Sequence, residues 1–241
     1  MRREPSFGSF GDHLAGPAGR YDTSNRIHDV DELFEQLVDL NGSLKAHRDY
    51  IQQNGYGFGE RAFWWAWKLI CDEIPNEAKM LEIGVYKSAT LSLWRLLKPI
   101  ASIYGISPLN TAGDYPDFDY GADIEALHNY FNQQQPVICE AKSLDLKALY
   151  FGNEHYPFDV IYIDGDHSYN GALHDLIMYS PMVKQGGFLI MDDACSDMHM
   201  PWGFFQGHQE VTNATLDFMK EHGDDWEFIT NVVHLLIYRR K

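Results

Sequence analysis

The chain has 241 residues, enough for one domain with extensions and a core that needs no cross-links. A hydrophobic fraction of 45% marks it as globular, and a formal net charge of −16 argues against nucleic acid and anionic membrane as partners. The three cysteines, Cys71, Cys139 and Cys195, are far apart and form no CxxC pair, which argues against a disulfide framework or a zinc site. No signal peptide and no bilayer-length apolar run is apparent, so the expected compartment is the cytoplasm.

Residues 1–55 read as an N-terminal arm and helix. The first 27 or so are rich in Gly, Ser, Pro and Asp, as an irregular arm is. Asp29 and Glu32 then have capping-box spacing, Val30, Leu33, Phe34, Leu37 and Val38 follow the helical period, and Gly42 is the expected stop. Gly55 to Gly59 reads as a hinge or loop. Residues 56–241 form the expected main domain. It opens on a helix from Glu60 to Glu73 that is apolar around most of its circumference, through Phe63, Trp64, Trp65, Trp67, Leu69 and Ile70. Such a helix lies between layers or at a subunit contact, so this segment and the arm offer surfaces for a homo-oligomer.

From Lys79 the pattern alternates. Buried strands are expected at Met80–Ile83, Ser102–Ile106, Val137–Cys139, Phe158–Ile163 and Gly187–Met191. Helices are expected between them near Ala89–Leu97, Ala122–Phe131, Leu144–Tyr150 and Ala172–Ser180. At the end, Trp226–Thr230 and Val232–Tyr238 read as an antiparallel hairpin turning at Asn231. The fold class is α/β: a Rossmann-like doubly wound sheet, mostly parallel, with a C-terminal antiparallel hairpin. Ligands of such sheets sit at the carboxyl ends of the strands.

Two strand ends carry chemistry there. In Met80-Leu81-Glu82-Ile83-Gly84-Val85-Tyr86-Lys87-Ser88, a strand ends in an acid, turns at Gly84 and enters a helix at Ser88. Gly84 lets the backbone approach a ligand, and Ser88 is a good N-cap. An acid before the turn suits an ammonium, and the helix start suits a carboxylate. Neither GxGxxG nor GxxxxGK[ST] is present, which weakens a dinucleotide or ATP reading. The second signal is Asp164-Gly165-Asp166-His167 after the fourth strand, with Asp192-Asp193 after the fifth. If these strands are neighbours, Asp164, Asp192 and Asp193 converge. Three crowded carboxylates repel one another, and a hard divalent cation, Mg²⁺ or Mn²⁺, removes that cost. Zinc would want more His or Cys, and none is suitably spaced. His167 can take the proton of a hydroxyl nucleophile that the cation acidifies.

The acid-x-Gly turn resembles the first motif of class I S-adenosylmethionine-dependent methyltransferases. The stretch IDGDHSYNGALHDL, a Gly-Gly strand and Asp-Asp resemble the metal-dependent O-methyltransferases that act on sugar hydroxyls of macrolide and aminocoumarin antibiotics, over roughly residues 56–241. The resemblance implies S-adenosylmethionine as cofactor, met by Glu82, Gly84, Ser88 and Asp164. It implies that Ser107 stands where the ribose acid is expected, and that Ser143 lies in the adenine-side turn, where it can also cap a helix. It implies a cation on Asp164, Asp192 and Asp193, catalytic roles for His167 as base and for Asp164, and a small-molecule hydroxyl acceptor such as a sugar. Asp166 has no assigned role. Ala194 to Val211, rich in Met, Trp and Phe, reads as a lid or acceptor wall. Two other readings stay open. Asp164-Gly165-Asp166 is also the DxD of a metal-dependent glycosyltransferase, and a non-catalytic binding protein of methyltransferase fold is compatible with Ser107.

Overall fold

The computed structural model describes residues 26–57, 60–112, 115–116, 120–196, 205 and 207–241. The arm up to residue 25, and half of the expected lid (residues 197–204 and 206), lie outside these residues. Among the described residues, three helices come first: α1 (Arg26–Leu40), α2 (Gly42–Asn54) and α3 (Arg61–Glu73). α1 begins at Arg26, so Asp29 falls inside it and is no cap. Gly42, the expected stop, is instead the first residue of α2. The Asn41 side chain accepts the Leu44 N–H at 3.1 Å and starts the new helix, and Gly55, at φ 66°, ends it.

The alternating region contains β1 (Lys79–Ile83), α4 (Ala89–Leu97), β2 (Ser102–Ser107) and a short hairpin, β3 (Thr111–Ala112) with β4 (Tyr115–Pro116). It continues through α5 (Tyr120–Tyr130), β5 (Val137–Glu140), α6 (Leu146–His155), β6 (Phe158–Ile163), α7 (Tyr169–Tyr179) and β7 (Val183–Met191). The end holds α8 (Gln209–His222), β8 (Trp226–Val232) and β9 (Leu235–Arg240). The large sheet has the order β5-β2-β1-β6-β7-β9-β8. β1, β2, β5, β6 and β7 are parallel, and β9 runs antiparallel between β7 and β8.

The central strands are apolar on both faces because both faces are covered. One face, including Met80, Val160, Phe188 and Ile190, shares a core with Phe34, Ile51, Trp64, Trp67 and Trp94 from α1 to α4. The other, including Leu81, Ile83, Ile161 and Leu189, packs on Leu176 of α7 and on Val211 and Phe218 of α8. The aromatic helix α3 is therefore core, sandwiched under α1 and α2. A buried polar chain links α3 and α2 to α4, the helix that follows β1. Trp64 donates to His47 Nδ1 at 3.0 Å, so His47 Nε2 carries the proton and meets Ser92 Oγ at 3.0 Å. Burial pushes the His47 ring down to about 3, so it stays neutral. All three cysteines are free and buried. Among the described residues no helix is long and apolar enough to cross a membrane.

Two departures reach the site. The hairpin turns at Val233-His234, not at Asn231, and Val233 adopts φ 51°. His234 thus leaves the strand for the turn. α6 starts after Asp145, two residues beyond Ser143, so Ser143 is not its cap.

Candidate active site at the carboxyl edge

Backbone pairing continues one residue past three strand ends. Gly84 N–H donates to Ile106 O at 2.9 Å, Asp164 N–H to Ile83 O at 2.8 Å, and Asp192 N–H to Ile163 O at 2.9 Å. Gly84, Asp164 and Asp192 therefore stand side by side. β1 lies between β2 and β6, where the winding of the sheet reverses, and ligand crevices form at such points. Gly84 has φ 92°, and a Cβ there would lie 1.8 Å from the Asp164 carbonyl oxygen. The positive φ and the close approach of the Asp164 loop both require glycine here. Gly84→Ala should cost at least ~2 kcal/mol of stability and displace Asp164. Thermal unfolding checks this; an unchanged melting temperature would show that the two loops are not in contact.

Asp192 and Asp193 follow β7 directly. Asp192 is deeply held. Its Oδ2 accepts a short hydrogen bond from Tyr162 OH. Its Oδ1 accepts from the Asp193 N–H at 2.9 Å and from His234 Nδ1 at 2.7 Å. His234 Nδ1 also lies 3.0 Å from Asp193 Oδ1. Burial raises the Asp192 carboxyl, but the hydrogen bond and charge of His234, with the Tyr162 and Asp193 donors, carry it below the ordinary carboxylate value. Burial alone would lower His234, yet the two carboxylates raise it to about 10. His234 is an imidazolium set between two acids, fixed at its back by an edge-on Phe63 ring at 4.8 Å.

Asp193 adopts φ 54° and is as buried as Asp192. Its Oδ2 lies 3.4 Å from His167 Nε2 and 3.6 Å from His208 Nε2. The two imidazoles stack with centroids 4.5 Å apart. His167 Nε2 is also 3.4 Å from Asp164 Oδ1. Asp164 is held well above the ordinary range, by burial first and then by repulsion from Asp192 and Asp193. The expected carboxylates thus gather at one edge. Among the described residues, however, the ligand atoms that lie within 4.8 Å of one another are those of His167, Asp193 and His208, and those of Asp192, Asp193 and His234. Suitably placed histidines are present after all, brought in from 41 and 67 residues beyond His167 by the fold.

Asp166 has a local task. Its Oδ1 accepts the Ser168 N–H at 2.9 Å, and Ser168 Oγ caps α7 by accepting Gly171 N–H at 3.1 Å. This turn sets His167 at the mouth. Phe205, the one described aromatic of the expected lid, is exposed and meets His208 and His234 edge-on at 5.3 and 5.4 Å.

The cofactor-side residues divide. Glu82 is 4% exposed on the same sheet face as Tyr162, and its Oε2 has no hydrogen-bond partner. Burial, then Asp164, push its carboxyl well above the ordinary range. A buried carboxylate oxygen without a donor fits an ammonium group. Ser88 sits at φ 70° and makes no side-chain cap; its hydroxyl meets His128 Nε2 at 2.9 Å. Ser107 donates to the Val85 carbonyl at 2.8 Å and accepts the Leu109 N–H at 3.3 Å, tying the end of β2 to the first turn. Ser143 is half-buried beside α7, and its carbonyl accepts Tyr179 OH at 2.8 Å.

A doubly wound sheet closed by one antiparallel strand, with acids lining its switch point, is the class I methyltransferase architecture. Residues 81–194 match the family Methyltransf_24, described as a methyltransferase domain. An uncharacterized protein, R132, of Acanthamoeba polyphaga mimivirus is 27% identical over 157 residues, spanning 60% of this chain and 64% of its own length. An O-methyltransferase from Bacillus cereus, solved with SAH, superposes with a TM-score of 0.60 at 13% identity, over 89% of this chain and all of that one. The MycE methyltransferase of the mycinamycin pathway, solved with Mg and SAH, superposes with a TM-score of 0.52 at 19% identity, over 76% of this chain and 50% of that one. The two solved structures share the fold.

Proposed function

We propose that this protein is an S-adenosylmethionine-dependent O-methyltransferase that uses a divalent cation, Mg²⁺ or Mn²⁺, and acts on a hydroxyl of a small acceptor such as a sugar. The observation that carries the reading is the acidic edge itself. Asp164, Asp192 and Asp193 gather beside the buried, unpartnered oxygen of Glu82, at the switch point of a methyltransferase fold. When bound, the cofactor supplies an electrophilic methyl group on a sulfonium, and the cation supplies acidification of the acceptor hydroxyl.

The chain's own groups have distinct tasks. Glu82 receives the cationic end of the amino-acid part and becomes ionised beside it. Ser107, through its hydroxyl, and Gly84, through its N–H, hold the turn after β1 against the end of β2. Asp193 would hold the cation through Oδ2, with Asp164 at the same edge, 3.4 Å from His167. Asp192, locked by Tyr162 and His234, fixes the direction of the Asp193 backbone. His167 takes the hydroxyl proton at Nε2. Positioning, more than covalent chemistry, is the protein's contribution.

Calorimetry tests this directly. S-adenosylhomocysteine should bind and a UDP-sugar should not, and EDTA should abolish methyl transfer until Mg²⁺ or Mn²⁺ is returned. Binding of the UDP-sugar alone would transfer the acidic edge to a glycosyltransferase. Absence of S-adenosylhomocysteine binding even with Mg²⁺ present would leave a binding protein of this fold.

A further inference from the structure

We propose that His208 is a nitrogen ligand of the cation, paired with Asp193, and that the site therefore selects a first-row transition ion over Mg²⁺. This rests on the methyltransferase reading for its location but not for its test. His208 Nε2, Asp193 Oδ2 and His167 Nε2 lie within 4.8 Å of one another, the spread that one ion can span.

The pairing of His208 with Asp193 is built into the backbone. The His208 N–H donates to the Asp193 carbonyl at 2.8 Å, and Ala194 pairs with Gly207 as an isolated antiparallel bridge. Gly207 has φ 100°, and a Cβ there would lie 2.1 Å from the Asp193 carbonyl oxygen. Only glycine permits this approach, and the approach brings the imidazole at the start of α8 to the carboxylate at the end of β7. The stack on His167 and the edge of Phe205 hold the ring in place.

Asp192 is already occupied. Three donors, Tyr162 OH, His234 Nδ1 and the Asp193 N–H, use its two oxygens. The donors left within reach of one ion are then Asp193 Oδ2 and the His208 imidazole, with His167 beside them as the proton acceptor. Imidazole binds Mn²⁺, Fe²⁺ and Co²⁺ better than Mg²⁺, which keeps oxygen ligands and waters.

The test uses Mn²⁺ alone, added to the purified full chain, and reads nitrogen coupling by pulsed EPR. The expected result is one imidazole nitrogen coupled to the bound ion, lost in His208→Ala and kept in His167→Ala. Mn²⁺ affinity should fall at least about tenfold in His208→Ala, the lower range for loss of even an indirect partner of a metal site, while Mg²⁺ affinity stays level. His208→Gln gives a milder variant that keeps the α8 start intact. Bound Mn²⁺ without nitrogen coupling, coupling that survives in both His208 variants, or no Mn²⁺ binding would each overturn the inference. S-adenosylhomocysteine binding is measured in parallel. If it persists while nitrogen coupling is absent, the ligand assignment fails and the methyltransferase reading stands.

Discussion

Replacing His234 with alanine is expected to lower the unfolding free energy by about 3–5 kcal/mol, the range for removing one partner of a buried ion pair. His234 is mostly buried, and its Nδ1 lies 2.7 Å from Asp192 and 3.0 Å from Asp193. Without it, two carboxylates with side chains 9% exposed remain in a low-dielectric site, facing the half-buried Asp164. Urea unfolding in metal-free buffer gives the number. A loss below about 1 kcal/mol, the range of exposed pairs, would mean that water already screens the cluster. The double variant His234→Ala with Asp192→Asn should recover part of the loss, because one stranded charge is then gone. Divalent cation should also recover part of it, by binding the folded state only.

The pH dependence has a definite sign. The folded-state pKa of His234 is raised from 6.5 to about 10. Its stabilising contribution is full below about 6.5 and is lost as pH rises through about 10. The stability gap between wild type and His234→Ala should therefore shrink between pH 7 and pH 10. A constant gap would show that the imidazole is neutral in the folded protein.

His234 was the site residue hardest to find from the residues alone. Val232 to Tyr238 is a continuous β-rich run, and the obvious turn former nearby is Asn231. The structure buries Asn231 in β8 and bends at Val233, a β-branched residue at φ 51°, where no punctuation by glycine or asparagine marks the turn. Val233 N–H instead rests on Asp31 Oδ1 of α1 at 3.3 Å, a contact across 202 positions that local pattern cannot encode. His208 was hidden for a related reason: it reaches Asp193 through a bridge at Gly207, with no periodicity to announce it. α8 was not expected, since the lid reading ran to Val211, although its pattern is regular. Val211, Ala214, Thr215 and Phe218 follow the helical spacing and are all buried. The central strands were readable because both faces are covered, so β1, β6 and the end of β7 appear as short, largely apolar runs, interrupted only by Glu82 and Asp159. The acids at their ends were readable because parallel strands deliver their carboxyl ends to one edge. What each acid does was not, since Asp166 and Asp192 owe their roles to donors: a backbone amide for one, and Tyr162 and His234 for the other.

His167→Ala should slow methyl transfer by about 10²–10⁴-fold, the usual contribution of a positioned base, with S-adenosylhomocysteine affinity changed by less than about twofold. The geometry separates the two effects. His167 sits in the turn that Asp166 and Ser168 shape, 39% exposed at the mouth, while Glu82 lies buried within β1. Nε2 lies 3.4 Å from both Asp164 Oδ1 and Asp193 Oδ2, so the N–H formed on accepting a proton has a carboxyl oxygen within reach on either acid. A lost base can be supplied from solution where the site is open. Free imidazole should therefore restore part of the variant's rate in proportion to its concentration, and it should leave the wild type unaffected. Single-turnover rates isolate the transfer step from cofactor binding and product release. If His167→Ala turns over at the wild-type rate, or loses cofactor affinity as much as rate, the base must be sought elsewhere on the edge. The imidazole response distinguishes those outcomes, because a ring that only propped the turn would not be replaced by one in solution.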